Sequence, residues 1–195
     1  MPKLIGHFKN KHPEVEILML VGNSAKLVYE LKQHALDLII ISEPLSAKRF
    51  IVKPFVDDEL VVIVNPHHRW TNNQDINLND LFKESLIARE EGSGTREVFY
   101  NFLNSNNVNI KDLKVVMTMG SSEAVKSAVE SGVAYGIVSE IAVRREIKMG
   151  LLKKINIEDI KLRRKFLVAY PTKLYNKHLI STFLDFILTK KDEFL

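Results

Sequence analysis

The sequence predicts an α/β fold in which helices flank the sheets, and three observations lead to it. Helix, strand, helix and strand patterns alternate within the first 41 residues. Residues 36–41 form an almost continuous apolar run, which is typical of a strand in a parallel sheet covered on both faces. Further along, turns rich in Gly and Ser separate strand patterns from helix patterns. This order predicts doubly wound units with right-handed crossovers.

Four elements are predicted at the start of the chain. The first is a helix that ends near His12, because Pro13 pushes the residue before it out of the α region. Residues 15–21 follow as an apolar strand. A helical stripe over residues 27–35 then leads into the strand at residues 36–41.

Two further strands are predicted in the middle of the chain, at residues 50–56 and 59–64. Asp57 and Asp58 separate them, and the polar residues 66–73 then break the periodicity. The chain is expected to leave its first lobe near this point.

The second half repeats the order of strand, glycine turn and helix. Strands are predicted at residues 86–88, 115–119, 134–138, 151–155 and 166–170, and helices at residues 94–103, 122–131, 140–148 and 179–187. The length of 195 residues, at about 150 residues per domain, corresponds to one large domain or two lobes.

Composition excludes several classes of protein. No apolar run approaches the roughly 20 residues of a membrane span, and residues 1–14 show no secretory signal. The absence of cysteine excludes disulfides, a thiolate nucleophile and cysteine-bound zinc, and it permits a reducing compartment. The net charge of +4 is too small to indicate nucleic acid by itself.

The turn at residues 91–96, EGSGTR, is the most informative stretch. It lies between a predicted strand and a predicted helix, where free backbone N–H groups and the helix dipole favour an anion. Ser93 and Thr95 add hydroxyl donors. The simpler alternative is that Ser93 only caps the helix. The stretch is neither a P-loop nor a nucleophile elbow.

Two other predicted helix starts carry hydroxyl groups, at Asn23-Ser24 and at Ser121-Ser122. Each follows a strand directly, and ligands of open α/β sheets bind at the carboxyl ends of the strands. Each pair alone is explained by capping. Together the three starts predict an anion site that needs no catalytic group.

No metal, cofactor or catalytic site is predicted. His67 and His68, the only histidine cluster, are expected to be solvated because no third ligand is predictable. Glu90 and Glu91 flank the glycine turn and are expected to face solvent. Nine Lys and Arg residues stand against three acidic residues in the range 144–165, and they are expected to form a solvated face.

Five segments, taken in order, carry a resemblance to a known family. They are residues 2–13, 36–38, 58–68 (DELVVIVNPHH), 92–96 (GSGTR) and 120–138 (GSSEAVKSAVESGVAYGIV). Each motif is weak alone, but the ordered set covers nearly the whole chain. The chain resembles the effector-binding domain of LysR-type transcriptional regulators.

The resemblance implies a two-lobed type II periplasmic-binding-protein-like fold, with each lobe a doubly wound sheet flanked by helices. Residues 1–58 and 170–195 would form lobe I, which is incomplete at its N-terminus, and residues 59–169 would form lobe II. A small effector, an organic acid or inorganic anion, would bind between the lobes. Its contacts would be Asn23, Ser24 and Ser42 from lobe I and Gly92, Ser93, Gly94, Thr95, Ser121 and Ser122 from lobe II.

The resemblance also implies a cytoplasmic homodimer that does not associate with membranes. The first helix and second strand of one copy would meet helix 122–131 of the other and bury residues such as Leu4 or Val125. The family binds DNA through an N-terminal winged helix-turn-helix, which this sequence does not show.

A second departure from the family concerns its first strand. The family's domain begins with a strand ahead of the first helix, whereas this sequence starts at the helix. Part of the lobe I wall is therefore expected to be missing or to come from elsewhere, and a chain extended upstream is expected to be more stable.

Two other functions stay open at this point. A solute-binding receptor of a transporter has the same fold, but no export signal or lipobox cysteine is visible. An enzyme on this fold, such as a deaminase or dehydratase, would need an acid/base pair, and none is recognisable.

Overall fold

The computed structural model describes residues 1–42, 45, 49–72, 75–173 and 177–194. The helices are α1 (Pro2–Lys11), α2 (Ser24–Lys32), α3 (Gly94–Ser105), α4 (Ser122–Glu130), α5 (Glu140–Lys148) and α6 (Lys177–Phe194). The strands are β1 (Ile39–Ile41), β2 (Phe50–Val64), β3 (Asp75–Ile76), β4 (Ser85–Arg89), β5 (Lys114–Met119), β6 (Tyr135–Ser139), β7 (Lys153–Ile157) and β8 (Leu162–Pro171). One predicted segment, the loop at residues 66–73, is described only up to residue 72, because Asn73 lies outside the described residues.

The chain divides into two compact units. Unit 1 comprises Met1–Val56 and Lys165–Leu195, and unit 2 comprises Asp57–Arg164. The chain therefore passes between the units twice, once within β2 and once within β8. The boundaries expected from the sequence, at residues 58 and 169, fall within the same two strands.

Unit 1 is built from a short ladder and three helices. β1 pairs antiparallel with β8, and Ile39 lies opposite Ala169. Leu31 of α2 packs on the β1 residues Ile39 and Ile41. Leu4 of α1 joins a second cluster with apolar residues of α6, because each helix places one apolar stripe inward.

Unit 2 is a sheet with a core on both faces. β4 runs parallel to β5 and to β6, while β2 runs antiparallel to β6. Alternate residues of β2 enter different clusters: Leu60, Val62 and Val64 pack with α3, and Val61 and Ile63 pack with α4 and α5. This alternation follows from the period of two along a strand. β7 extends the unit, antiparallel to β2 and parallel to β3.

Each predicted helix is present and α5 has the predicted bounds, but α2 begins and ends three residues earlier than the predicted stripe and α6 continues to Phe194. Three strand predictions need correction, and the first concerns residues 15–21. This segment has no regular secondary structure, and Leu18 and Val21 are 77% and 79% exposed. Among the described residues no strand pairs with it. Without ladder hydrogen bonds, apolar residues alone do not make a strand.

The second correction concerns residues 36–41. The strand covers only Ile39–Ile41, and its described partner β8 is antiparallel rather than parallel. The third concerns Asp57 and Asp58, which do not interrupt the chain: β2 is one strand of 15 residues. Strand alternation exposes Asp57 and buries Asp58, so a charged pair that resembled a turn is part of the ladder.

The strands predicted at residues 151–155 and 166–170 are displaced or lengthened in the structure, as β7 and β8. In the described part of the chain, no helix is both long and apolar enough to span a membrane.

Candidate functional site

Three helices of unit 2 begin at the same edge of its sheet. The parallel strands β4, β5 and β6 lead into α3, α4 and α5, and the residues at the three N-cap positions are Ser93, Ser121 and Ser139. Since the carboxyl ends of parallel strands meet at one edge, these helix starts lie on that edge. The sequence predicted the first two of them as parts of an anion site.

The start of α3 is buried and held by an arginine. Gly92 has a φ of 77°, a backbone conformation that favours glycine, and Gly94 is the first helical residue. Ser93 is buried, yet its side chain makes no capping hydrogen bond, so capping does not explain this serine. Thr95 is also buried, and its hydroxyl oxygen accepts a hydrogen bond from Arg164 Nη1 at 3.1 Å.

The start of α4 combines a cap with a second arginine contact. Ser121 Oγ accepts a hydrogen bond from the N–H of Ala124 at 3.1 Å and is therefore a true helix cap. Ser122 Oγ accepts one from Arg89 Nη1 at 2.9 Å. The two adjacent serines thus have different roles, and only Ser122 bonds to a charged group.

Arg89 links the two helix starts. Its backbone carbonyl accepts from Arg96 Nη1 of α3 at 3.4 Å, while its side chain reaches Ser122 of α4. Its Nε and Nη2 donate to the two carboxylate oxygens of Glu90 at 2.7 and 2.8 Å. The side chains of Arg89 and Glu90 are only 10% and 21% exposed. Glu90, expected to face solvent, is instead half of a bidentate ion pair.

A second buried network joins Arg164 to the third helix start. Arg164 Nε donates to Asp58 Oδ2 at 2.7 Å, and Ser139 Oγ donates to Asp58 Oδ1 at 2.8 Å. Burial lowers the pKa of Arg164, the Asp58 carboxylate opposes this, and the positive charge of Arg89 lowers the pKa further. Arg164 was expected on a solvated basic face, but its side chain is buried because Asp58 compensates its charge.

The remaining predicted site residues belong to unit 1. Asn23 Oδ1 accepts from the N–H of Lys26 at 2.9 Å and caps α2. Ser24 is the buried first residue of α2, and Ser42 directly follows β1. That they share a ligand with the residues of unit 2 stays a prediction.

The histidine cluster lines a concavity of about 400 Å³ together with Asn65, Arg69, Glu84 and Gly132. His68 Nδ1 accepts from the N–H of Trp70 at 3.2 Å, and burial lowers the pKa of His68 although Glu84 acts in the opposite direction. Among the described residues, no three His, Asp or Glu side chains are grouped closely enough to hold a metal ion.

Sequence reasoning missed four residues of these networks, which are Arg89, Asp58, Ser139 and Arg164. Arg89 directly follows the predicted strand at residues 86–88, so a charge at the end of a buried strand was the available signal. Ser139 stands at a predicted strand-to-helix junction, like the serines that were selected. The pairing of Asp58 with Arg164 spans 106 residues of sequence and leaves no local pattern.

The sequence matches the profile of the LysR substrate binding domain over residues 1–192. The chain therefore belongs to this family of transcriptional regulators, and it has the type II periplasmic-binding-protein-like fold of their effector-binding domains. It is 34% identical over 191 residues to a probable RuBisCO transcriptional regulator of Cyanidium caldarium, covering 96% of this chain and 60% of that protein. The chain thus spans about three fifths of the length of this relative.

Two further relatives come from Synechocystis. The HTH-type transcriptional activator CmpR is 29% identical over 187 residues, which are 96% of this chain and 60% of CmpR. The solved structure of the CcmR regulatory domain in complex with 2-PG is 29% identical, with a TM-score of 0.86, and covers 96% of this chain and 89% of that one.

Proposed function

We propose that this chain senses a small anionic effector for a transcriptional regulator and that the effector binds at the strand edge of unit 2 where α3 and α4 begin. The observation that carries the proposal is the contact of Ser122 and Thr95 with the buried guanidinium groups of Arg89 and Arg164. The two helix N-termini provide backbone N–H donors and the positive ends of their dipoles for a carboxylate or phosphate, and the two arginines fix the hydroxyl groups beside them.

The relatives support a regulator over a transport receptor or an enzyme. The similar proteins from Cyanidium and Synechocystis are named as transcriptional regulators, and the regulatory domain of CcmR was solved with 2-PG bound. We infer a small-molecule effector for this chain too, and the helix N-termini at the strand edge favour an anionic one. In such a regulator, DNA binding is the function of a winged helix-turn-helix outside this domain. We expect the regulator to act in the cytoplasm.

We also propose that the regulator is a homodimer through this domain. The predicted contact residues Leu4 and Val125 are fully buried within the chain, so they do not form the interface. Exposed apolar residues lie elsewhere, and two groups of them are neighbours in sequence: Leu18 to Val21 in the segment 15–21, and Val115 to Met117 on β5. These two surfaces are the ones that a second copy would cover.

A thermal-shift screen of organic acids, amino acids and inorganic anions, with 2-PG included, tests the effector proposal. A ligand that binds only the folded protein adds about 2.7 kcal/mol of stability at 100 times its Kd, which is readily measured. We expect an anion to raise the melting temperature of the wild type, and to raise it less in Thr95→Ala and Ser121→Ala.

The matched control is Ser105→Ala at the other end of α3, where the hydroxyl bonds only within the helix turn, to the carbonyl of Asn101. Each variant is compared with itself with and without ligand, since the loss of a cap lowers stability regardless of binding. A ligand that stabilises wild type, Thr95→Ala and Ser121→Ala equally would place the site elsewhere.

A further inference from the structure

The side chain of Arg89 binds the carboxylate of the neighbouring residue, Glu90. Its Nε and Nη2 form the planar fork that binds carboxylates and phosphates in a bidentate manner. The two oxygens of Glu90 occupy this fork at 2.7 and 2.8 Å. An oxyanion of a ligand that approached the same fork would therefore meet the Glu90 carboxylate first.

The backbone around this pair is fixed by hydrogen bonds, whereas the Glu90 carboxylate is partly exposed. The N–H of Glu90 donates to the carbonyl of Met119 at 3.1 Å, and its carbonyl accepts from Ser93 at 3.3 Å. The carboxylate is partly exposed, so rotation about its own side-chain bonds would carry it into water. Exchange of Glu90 for a ligand would then be a side-chain rearrangement that leaves the backbone hydrogen bonds of Glu90 in place.

Arg89 itself would stay in place during such an exchange. Its third donor, Nη1, bonds to Ser122 Oγ at the start of α4, on the side away from the fork. The guanidinium is mostly buried, which strengthens its attraction for any anion in the fork. A ligand oxyanion would thus reach a preoriented cation next to two helix N-termini.

We propose that Arg89 binds the anionic group of the effector through its Nε and Nη2 donors and that Glu90 is an internal competitor, which the effector displaces. The inference rests on the proposed function and names Arg89 as the residue that recognises the negative charge of the effector. The ligand class is a molecule with a carboxylate or phosphate group. Because Glu90 is always at high local concentration, it weakens binding of every such ligand and favours those that make further contacts.

Calorimetric titration of inorganic phosphate and of sulfate, at low ionic strength, tests the proposal. The proteins are the wild type, Glu90→Gln and Arg89→Lys. Glu90→Gln removes the competing charge, and we expect phosphate to bind about tenfold more tightly, since charge-assisted bonds are about twice as strong as neutral ones. Arg89→Lys keeps the charge but loses the fork, and we expect about tenfold weaker binding.

The matched control is Glu97→Gln in the first turn of α3, which removes the same charge near the site and leaves the Arg89–Glu90 pair intact. A general electrostatic effect would strengthen binding equally in Glu97→Gln and Glu90→Gln, and that result would overturn the proposal. Circular dichroism verifies folding, and Glu90→Gln alone decides the outcome if Arg89→Lys does not fold.

The remaining outcomes separate this inference from the proposed function. Binding of phosphate that Thr95→Ala weakens but Glu90→Gln and Arg89→Lys leave unchanged would refute the role of Arg89 and keep the effector site. Absence of phosphate and sulfate binding to every variant would also refute the role of Arg89. The effector site itself would then be judged by the thermal-shift screen alone.

Discussion

The guanidinium of Arg164 and the carboxylate of Asp58 form a buried ion pair, with 2.7 Å between Nε and Oδ2. The two side chains are 6% and 0% exposed, and Ser139 and Thr95 supply further hydrogen bonds. Burying two charges is costly, so such a pair is stable only as a complete network. Removal of either partner leaves an uncompensated charge in the protein interior.

We predict that Asp58→Asn lowers the free energy of unfolding by about 3–5 kcal/mol, since it leaves the Arg164 charge unpaired. Urea denaturation followed by circular dichroism measures this loss. The control is Glu84→Gln, which breaks the ion pair of Glu84 with Arg69 at the surface. An exposed pair contributes less than about 1 kcal/mol, so similar losses in both variants would contradict the prediction.

The ion pair of Lys126 with Glu146 predicts that the free energy of unfolding depends on pH in the acidic range. Lys126 Nζ in α4 donates to Glu146 Oε1 in α5 at 2.8 Å. Burial acts to raise the pKa of Glu146, but the hydrogen bond and charge of Lys126 outweigh it and hold the pKa below the ordinary value of 4.5. A carboxylate whose pKa is lower in the folded than in the unfolded protein stabilises the folded state at any pH above its unfolded pKa. That stabilisation is lost as the pH falls through the pKa of the folded state.

Glu146→Gln is therefore expected to be less stable than the wild type by about 1–3 kcal/mol at pH 7, and the difference should shrink as the pH falls below 4.5. Urea titrations at pH 7 and at lower pH measure it. Glu123→Gln alters the other, mostly exposed carboxylate that contacts Lys126 and should change stability little. A difference that is independent of pH would contradict the expectation.

Gly136 of β6 allows α4 to pack closely on the sheet. A Cβ atom at this position would lie 2.8 Å from a methyl carbon of Val125 and of Val129. We predict that Gly136→Ala destabilises the protein by about 1–3 kcal/mol, because a tightly packed core resists added volume. Thermal denaturation measures the change.

The matched control is Gly6→Ala, which adds the same methyl group to α1 with nothing within 4 Å. Alanine favours a helix interior over glycine by up to about 1 kcal/mol, so this variant should be more stable than the wild type. Equal melting temperatures for Gly136→Ala and the wild type would show that α4 moves away from β6 without cost.

Leu18→Glu tests the proposed dimer. It places a charge in the exposed apolar segment 15–21, so we expect the sedimentation coefficient to fall to that of a monomer while the circular dichroism spectrum is unchanged. Tyr29→Glu, on an exposed residue of α2, is the control and should leave the assembly intact. Persistence of dimers in Leu18→Glu, or a wild type that sediments as a monomer, would contradict this interface.

The sequence alone predicted those features whose signal lies within a few neighbouring residues. The glycine and serine turns at residues 92–95 and 120–122 predicted helix starts, since cap residues and apolar stripes are read within one turn of helix. The prediction of a strand at residues 15–21 was wrong because strand pairing depends on a partner strand elsewhere in the chain. Asp58 and Arg164 were missed for the same reason: each resembles a surface residue until its distant partner is known.

The pairing of Asp58 with Arg164 also has a topological consequence. These residues stand at the two ends of the segment Asp57–Arg164, which makes unit 2 an insertion in the chain of unit 1. Since their side chains touch, the entry and exit points of the insertion are neighbours in space. Close ends are the feature that allows a domain to be inserted into a host chain. The contact between Asp58 and Arg164 thus holds together the two points at which one continuous segment leaves and rejoins the rest of the chain.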